Sequence, residues 1–157
     1  MKFRLLAVGT RMPGWVDAGV LEYSKRLPAD FALSLQELPL ARRGRNSSSE
    51  HLRNKEAEAI LAKLRPADHV VVLDVLGKRF DTGSFASRLD TLRGNGRDVV
   101  IVVGGPDGLG DQVLQRAEER WSLSDLTLPH PLVRIVLAEQ FYRAWSLLSN
   151  HPYHRDG

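Results

Sequence analysis

Two stretches of this 157-residue sequence concentrate the side chains that can do chemistry. Asn150 to Arg155 holds two histidines, a tyrosine and an arginine, which can move a proton, stack on a planar ring and bind an anion. Gly104 to Leu109 (GGPDGL) has a glycine pair that lets the backbone approach a ligand closely. The first stretch is otherwise interpreted as a frayed chain end, and the second as a plain tight turn.

A third stretch, before the last long apolar run, is rich in small polar residues. Ser122, Ser124, Asp125 and Thr127 alternate with leucines. This pattern suits a short strand, or a loop that binds a polar ligand through amides and hydroxyls. His130 stands between two prolines, and we interpret it as a turn residue at the entrance of a helix.

The GGPDGL loop differs from the two common phosphate-binding loops. A P-loop needs Gly-Lys-Ser/Thr after its glycines, whereas Asp107 and Gly108 stand here. The dinucleotide fingerprint follows the first strand of its unit, whereas this loop comes late in the chain. Because Asp107 would repel a phosphate, we expect a neutral or cationic ligand at this point.

An α/β scaffold is predicted to position these stretches. Near-continuous β-branched runs indicate strands that are buried on both faces, as in a parallel sheet. Their alternation with helices predicts an open sheet with helices on both faces, in a single domain over 1–157. The predicted strands are 2–8, 31–38, 69–75 and 98–103. The predicted helices are 15–27, one capped by Ser47 that runs to Leu64, one capped by Thr82 or Ser84 that runs to Leu92, 111–119 and 132–148; Gly77 and Lys78 are a predicted turn.

The helix 132–148 is apolar on two sides. One side can pack on the sheet, and a second subunit would cover the other, so we expect a twofold homodimer. Glu139 and Arg143 interrupt this surface at a spacing of four residues, which is typical of a structural ion pair.

Composition restricts the class of protein. The sequence has no cysteine, a net charge of +3 and an isoelectric point near 9.5. Disulfides and thiolate metal sites are therefore excluded, and a nucleic-acid partner is permitted but not required. With no secretory leader and no apolar run long enough to span a bilayer, we expect a cytoplasmic protein. The stretch 41–49 (ARRGRNSSS) should be an exposed loop, whose arginines either contact phosphates or are simply solvated.

Three motifs together resemble one protein family. VVGGPDGL at 102–109, SLSDLTLPHPLVRIVLAEQFYRAWSLLSNHPYHR at 122–155 and LLAVGT at 5–10 closely resemble the ribosomal RNA large subunit methyltransferase H branch of the SPOUT methyltransferases. The likeness covers essentially the whole chain, including LDVLGK at 73–78. Leu76 departs from the family pattern, which often has proline there.

The resemblance implies a fold, an activity and an assembly. The fold would be an open, mostly parallel α/β sheet with a deep trefoil knot in its C-terminal part, a rare exception to the rule against threading. The knotted loops would bind S-adenosylmethionine. The enzyme would methylate N3 of a pseudouridine in 23S rRNA, on the assembled ribosome, and would work as a homodimer without a metal.

The resemblance also implies which residues form the site. The positions that match cofactor contacts are Leu73, Gly104, Gly105, Leu123, Ser124, Asp125, Leu126, Thr127 and Leu128. For catalysis we expect His154 to take the proton of the target nitrogen, Tyr153 to stack on the base and Arg143 to offset negative charge. The tail would act within its own subunit or across the dimer. The expected RNA contacts are Arg42, Arg43, Arg45, Arg134 and Arg155.

Two other functions fit parts of the sequence. The first is a non-catalytic, dimeric ribosome-binding factor that has kept the fold, although such a factor would need neither GGPDGL nor the histidine-rich tail. The second is a related knotted methyltransferase that acts on tRNA.

Overall fold

A computed structural model describes residues 1–155 as a five-stranded parallel sheet between two layers of helices. The predicted α/β class and the parallel sheet are confirmed. No helix within the described residues is long and apolar enough to cross a membrane. The elements are β1 (Phe3–Val8), α1 (Gly14–Ser24), β2 (Leu33–Leu38), α2 (Ser49–Leu61), β3 (His69–Arg79), α3 (Thr82–Gly94), β4 (Val99–Val103), α4 (Asp111–Arg116), β5 (Glu119–Ser122) and α5 (His130–Leu148).

The strand order is β2-β1-β4-β3-β5, and every neighbouring pair is parallel. Successive strand side chains point to opposite faces, so each strand contributes to two cores. Leu5 and Ile101 pack with α3 and α5 on one face, and Leu6 and Val102 pack with α2 and α4 on the other. Burial on both faces is what the β-branched runs predicted. These pairings do not describe how the chain threads, so the trefoil knot stays a prediction.

β5 was not predicted, because its residues lack an apolar run. The helix expected over 111–119 ends at Arg116 instead. The amide of Glu118 donates to the carbonyl oxygen of Val70 at 2.8 Å, and this bond begins the pairing with β3. Trp121 then fills the core with its side chain 1% exposed. A single buried indole therefore anchors this edge strand.

β3 continues through the turn that Gly77 and Lys78 were expected to make. Leu73 and Lys78 both pair with Trp121, so residues 74–77 leave the ladder and return to it. A Cβ atom on Gly77 would lie 2.7 Å from backbone carbons of Arg120 and Trp121. The glycine is thus required by the close approach of two strands, and within the excursion 74–77 the side chains of Val75 and Leu76 are exposed.

Two helix caps lie one residue or more from the expected positions. Ser48, not Ser47, accepts the amide of His51 and caps α2. Asp81, rather than Thr82 or Ser84, caps α3, and its carboxylate and the Ser84 hydroxyl form a reciprocal capping box. Both caps satisfy amides of the first helical turn that have no partner within the helix.

An ion-pair cluster joins β3 and β5 at the opposite end of the sheet from the excursion. His69 places its two ring nitrogens against the carboxylates of Glu118 and Glu119. Arg88 donates to both carboxylate oxygens of Glu119, at 3.0 and 2.7 Å, and Trp121 adds its indole N–H at 3.0 Å. Burial alone would raise the pKa of Glu119, but these donors outweigh it and lower the pKa to about 2.

We expect the folded protein to lose stability in acid as Glu119 is protonated. The pKa of Glu119 is below its ordinary value of 4.5, so its contribution is complete above pH 4.5 and disappears as the pH falls toward about 2. Glu119→Gln should cost about 1–2 kcal/mol at pH 7, allowing for solvent screening, and should flatten the acid limb of stability. Urea unfolding between pH 2.5 and 7 measures both, and an unchanged acid limb would contradict the assignment.

Candidate functional site

A cavity of about 570 Å³ opens at the carboxyl ends of β3, β4 and β5. Parallel strands bring their carboxyl ends to one edge of a sheet, where α/β proteins bind their ligands. The walls are the start of the β3 excursion, the loop after β4, the segment after β5 and the first turn of α5. The lining residues include Leu73, Asp74, Val75, Gly104, Gly105, Pro106, Gly108, Leu109, Leu123, Ser124, Leu126, Thr127, Leu128, His130 and Val133.

The GGPDGL loop is both a tight turn and a wall of the cavity. The amide of Gly108 donates to the carbonyl oxygen of Gly105 at 3.0 Å, and Gly108 has a φ of +80° that favours glycine. A Cβ atom on Gly104 would lie 3.0 Å from the side chain of Leu109. The loop is therefore a tight turn, and it also lines the cavity.

Asp107 does not face the ligand, which corrects the expectation drawn from its charge. It is absent from the cavity wall. Its carboxylate Oδ2 lies 2.7 Å from Nη2 of Arg43, and Arg53 donates to its carbonyl oxygen at 3.4 Å. The carboxylate therefore joins this loop to the basic loop 41–49, and the ligand's charge cannot be inferred from it.

The segment after β5 is a loop that folds on its own hydroxyls. The amide of Leu126 donates to Oγ of Ser124 at 2.9 Å, and the Ser122 hydroxyl donates to the carbonyl oxygen of Ser124 at 3.1 Å. Asp125 points outward to Arg79, 2.7 Å away, with both side chains 70% exposed. Of the residues expected at the cofactor, Asp125 alone does not line the cavity.

His130 is a wall residue that sequence reasoning placed only in a turn. It begins α5, and its Nδ1 atom is buried without a hydrogen-bond partner among the described residues. Burial lowers the pKa of His130, and the neighbouring charge of Arg134 lowers it further. The available signal was position, because only Pro129 separates His130 from the segment 123–128 that the resemblance assigned to the cofactor.

Arg134 cannot contact RNA phosphate, because its side chain is fully buried. Its Nη2 donates to the carbonyl oxygen of Gly9 at 2.8 Å, and its Nη1 binds the carboxylate of Glu37. These contacts hold α5 against Gly9, which follows β1, and against Glu37 in β2. This corrects the expectation that Arg134 belongs to the RNA-binding surface.

The tail packs on α5 rather than fraying. Pro152–Arg155 forms a 3-10 turn. The Tyr153 hydroxyl donates to Oε1 of Glu139 at 3.1 Å, and its ring lies 4.5 Å from that of Tyr142. The guanidinium of Arg143 lies 5.1 Å from the Tyr153 ring centre. Burial, with the adjacent Glu139 carboxylate, raises the pKa of Tyr153 to about 12, so this phenol stays protonated.

Arg143 makes the structural pair that its spacing predicted. Its Nε and Nη2 both donate to Oε1 of Glu139, at 2.9 and 2.6 Å. This hydrogen bonding raises the pKa of Arg143 further above its ordinary value. The tail cluster thus consists of Arg143, Glu139 and Tyr153. It contains two of the residues expected in catalysis, Tyr153 of the tail and Arg143 of α5.

The tail cluster and the cavity are separate within one chain. None of residues 150–155 lines the cavity. At 1.5 Å rise per residue, Glu139 lies about 13 Å along α5 from His130. His154 follows Tyr153 in the sequence and is half-buried, and its Nδ1 is buried without a partner among residues 1–155. A chain by itself therefore does not bring His154 to its own cavity.

The expected RNA contacts differ in their availability. Arg42 and Arg45 are exposed and form no ion pair with any residue of 1–155, whereas Arg43 is held by Asp107. Arg155 is exposed and donates to Oδ1 of Asn150 at 3.2 Å.

Among the described residues, no group of three or more histidine, aspartate or glutamate side chains is arranged to hold a metal ion.

Comparison with known proteins identifies the family. The model described as "Predicted SPOUT methyltransferase" matches residues 1–154. Proteins named ribosomal RNA large subunit methyltransferase H are similar over 99% of this chain and 100% of their own length: 54% identical in Pseudomonas putida, 56% in Chromohalobacter salexigens and 51% in Hahella chejuensis. The chain therefore belongs to the SPOUT methyltransferases, in the group of the ribosomal RNA large subunit methyltransferase H proteins.

Proposed function

We propose that this chain, as one domain over 1–157, is an S-adenosylmethionine-dependent methyltransferase that acts on N3 of a pseudouridine in 23S rRNA. The cavity at the carboxyl ends of β3 to β5 is the observation that carries the proposal. Its volume is within the range of small-molecule sites. The names of the full-length relatives support the reaction class and the rRNA substrate.

The residues of the cavity fit the proposed methyl donor. Gly104 and Gly105 form a narrow wall where added side-chain atoms would meet Leu109 or Leu40. Leu73 and Leu123 supply apolar surface, and Ser124 with residues 126–128 supplies backbone groups and hydroxyls. This combination suits a ligand with a flat apolar base and several polar substituents. S-adenosylmethionine supplies an electrophilic methyl group on a sulfonium sulfur.

The protein must then prepare the target nitrogen. N3 of the base lies between two carbonyl groups and carries a proton, so its lone pair becomes available only when that proton leaves. We assign His154 to accept the proton and Tyr153 to lie against the base. Arg143, held beside Tyr153 by Glu139, would offset the negative charge that develops on the base.

A homodimer would bring the tail cluster to the cavity. The tail of a chain lies on its own α5 and away from its own cavity, so a partner's tail is the available source of His154. The rim of the cavity is apolar: Val75 is exposed, and Leu126 is 75% exposed. Trp15 on α1 is 57% exposed. Such surface is typical of a subunit contact.

The second apolar side of α5 is only partly available to a partner. Tyr142 and Trp145 contact the tail residue His151, and Ile135 packs against Gly19 of α1. The described chain therefore covers much of the side that was expected to meet a second subunit. The proposed contact depends more on the exposed residues of α1 and of the cavity rim.

We assign RNA phosphate binding to the exposed Arg42, Arg45 and Arg155, and to Arg43, which contacts Asp107 of the GGPDGL loop. Arginine suits phosphate because its planar donors match two oxygens. The positive surface is small, and no separate RNA-binding domain is present within residues 1–155. A pre-shaped substrate, such as an assembled ribosome, is therefore the expected target.

Donor binding and RNA mass spectrometry test the proposal. Calorimetry should show S-adenosylmethionine binding to the purified protein. Deletion of the gene should remove one methyl group from a 23S rRNA pseudouridine, and the purified protein should restore it on ribosomes faster than on naked rRNA. Absence of donor binding would favour the non-catalytic factor, and loss of a tRNA methyl group instead would favour the tRNA enzyme. Equal activity on naked rRNA would overturn the need for assembly.

A further inference from the structure

His130 and Arg134 are neighbours on the first turns of α5, and the proposed proton transfer uses neither of them. They lie one helical turn apart at the start of α5. Nη2 of Arg134 and Cε1 of His130 lie 3.4 and 3.7 Å from the position of a Cβ atom on Gly9, so both face the end of β1. His130 also lines the cavity. The pair therefore connects a buried cation to the ligand site.

The surroundings of the imidazole determine where its proton lies. Nδ1 is buried and has no partner within residues 1–155. A proton on Nδ1 would be a buried donor without an acceptor, which is costly. The nearby positive charge of Arg134 further disfavours an added proton on this ring. Burial and this charge lower the pKa of His130 from its ordinary value, which favours the neutral ring.

A neutral ring with a bare Nδ1 carries its proton on Nε2, the nitrogen that remains able to reach the cavity. We propose that His130 is a ligand-binding residue of the methyl-transfer site, whose Nε2–H donates a hydrogen bond to an oxygen of the bound ligand. This inference rests on the proposed function. It also separates the two histidines: Nε2 of His130 already holds a proton, so His130 is a donor, and proton acceptance remains with His154.

Two oxygens of the proposed reaction suit such a donor. One is the carboxylate of the methyl donor's amino-acid part. The other is a carbonyl oxygen beside the target N3, which gains negative charge as the proton leaves. Both present an acceptor, and both carry negative charge that the field of the buried Arg134 favours. Experiments can distinguish them because one oxygen is present in the donor complex and the other only with RNA.

Nitrogen NMR of histidine-labelled protein tests the protonation directly. With resonances assigned by comparison with His130→Gln, His130 at pH 7 should show a protonated Nε2 and an unprotonated Nδ1. Because this measurement needs neither ligand nor activity, its result is independent of the proposed function. A proton on Nδ1, or on both nitrogens, would overturn the inference.

Calorimetry with two probes then identifies the oxygen. If the carboxylate is the acceptor, His130→Ala should weaken S-adenosylmethionine binding about tenfold and leave decarboxylated S-adenosylmethionine unaffected. If the base carbonyl is the acceptor, donor binding should be unchanged and turnover on ribosomes should fall about tenfold or more. His130→Gln, which keeps an N–H donor, should recover part of either loss.

The controls separate the possible failures. Thermal unfolding of both variants should match the wild type, because the hydrogen bond at issue is made to ligand and not to protein. If the wild type binds no S-adenosylmethionine, the proposed function fails while the NMR result stands. If the wild type binds and neither donor affinity nor turnover changes in His130→Ala, the assignment of His130 is wrong.

Discussion

His154→Ala is expected to lower turnover on ribosomes by about 10²–10⁴-fold, the usual contribution of a positioned acid or base. Donor affinity should be unchanged, because His154 is assigned to the target base and not to the methyl donor. Single-turnover methylation across pH 6–9, with calorimetry of donor binding, checks both.

His51→Ala is the matched control, since His51 is an exposed histidine on α2. Its turnover should equal that of the wild type. Mixed dimers test where the tail acts: a His154→Ala subunit paired with a Gly104→Val subunit should regain one working site if tails cross the dimer. Full activity of His154→Ala, or mixed dimers as inactive as both parents, would count against these roles.

Gly77→Val should be the most damaging single change in the scaffold. Its Cβ would lie 2.7 Å from backbone carbons of Arg120 and Trp121, where no flexible side chain can move aside. The ladder between β3 and β5 must open, and the excursion 74–77 that forms a cavity wall must shift. We expect a loss of about 3 kcal/mol or more in stability and no measurable donor binding.

Gly94→Ala is the control for this change, because nothing lies within 4 Å of an added Cβ at the end of α3. It should fold like the wild type, with stability changed by less than about 1 kcal/mol. Urea unfolding and donor calorimetry compare the two variants. A Gly77→Val protein that keeps wild-type stability and donor affinity would show that the strands do not need this close approach.

The strands with continuous apolar runs were predictable, whereas β5 was not. β4 has the sequence Val-Val-Ile-Val-Val, and all five residues are buried. A run of this kind predicts a strand that is covered on both faces. β5 begins with Glu119 and Arg120, whose charges are satisfied by partners distant in sequence, such as Arg88. Pairing of this kind depends on tertiary contacts, so local composition cannot reveal it. The excursion 74–77 was missed for the same reason, because it depends on the contact of Gly77 with Arg120 and Trp121, which are distant in the sequence.

The site was found in part, through segments more than through single side chains. Residues 104–105 and 123–128 line one cavity, apart from the outward Asp125. Arg134 was placed on the wrong surface because Glu37, its partner, is 97 residues away in the sequence. His130 was predicted only as a turn residue, because the Pro-His-Pro pattern is sufficient to predict a turn and gives no sign of the cavity. Charged and histidine side chains are interpretable only when their neighbours are known.

The contact of Phe3 with Phe141 has a consequence for synthesis of the chain. Their ring centres are 5.0 Å apart, and both side chains are within 1% of full burial. β1 is made first, yet one of its faces is covered by the last helix. Release of α5 from the ribosomal tunnel is therefore the step that allows this core to close. Until then the nascent chain exposes the apolar face of β1 that this helix covers.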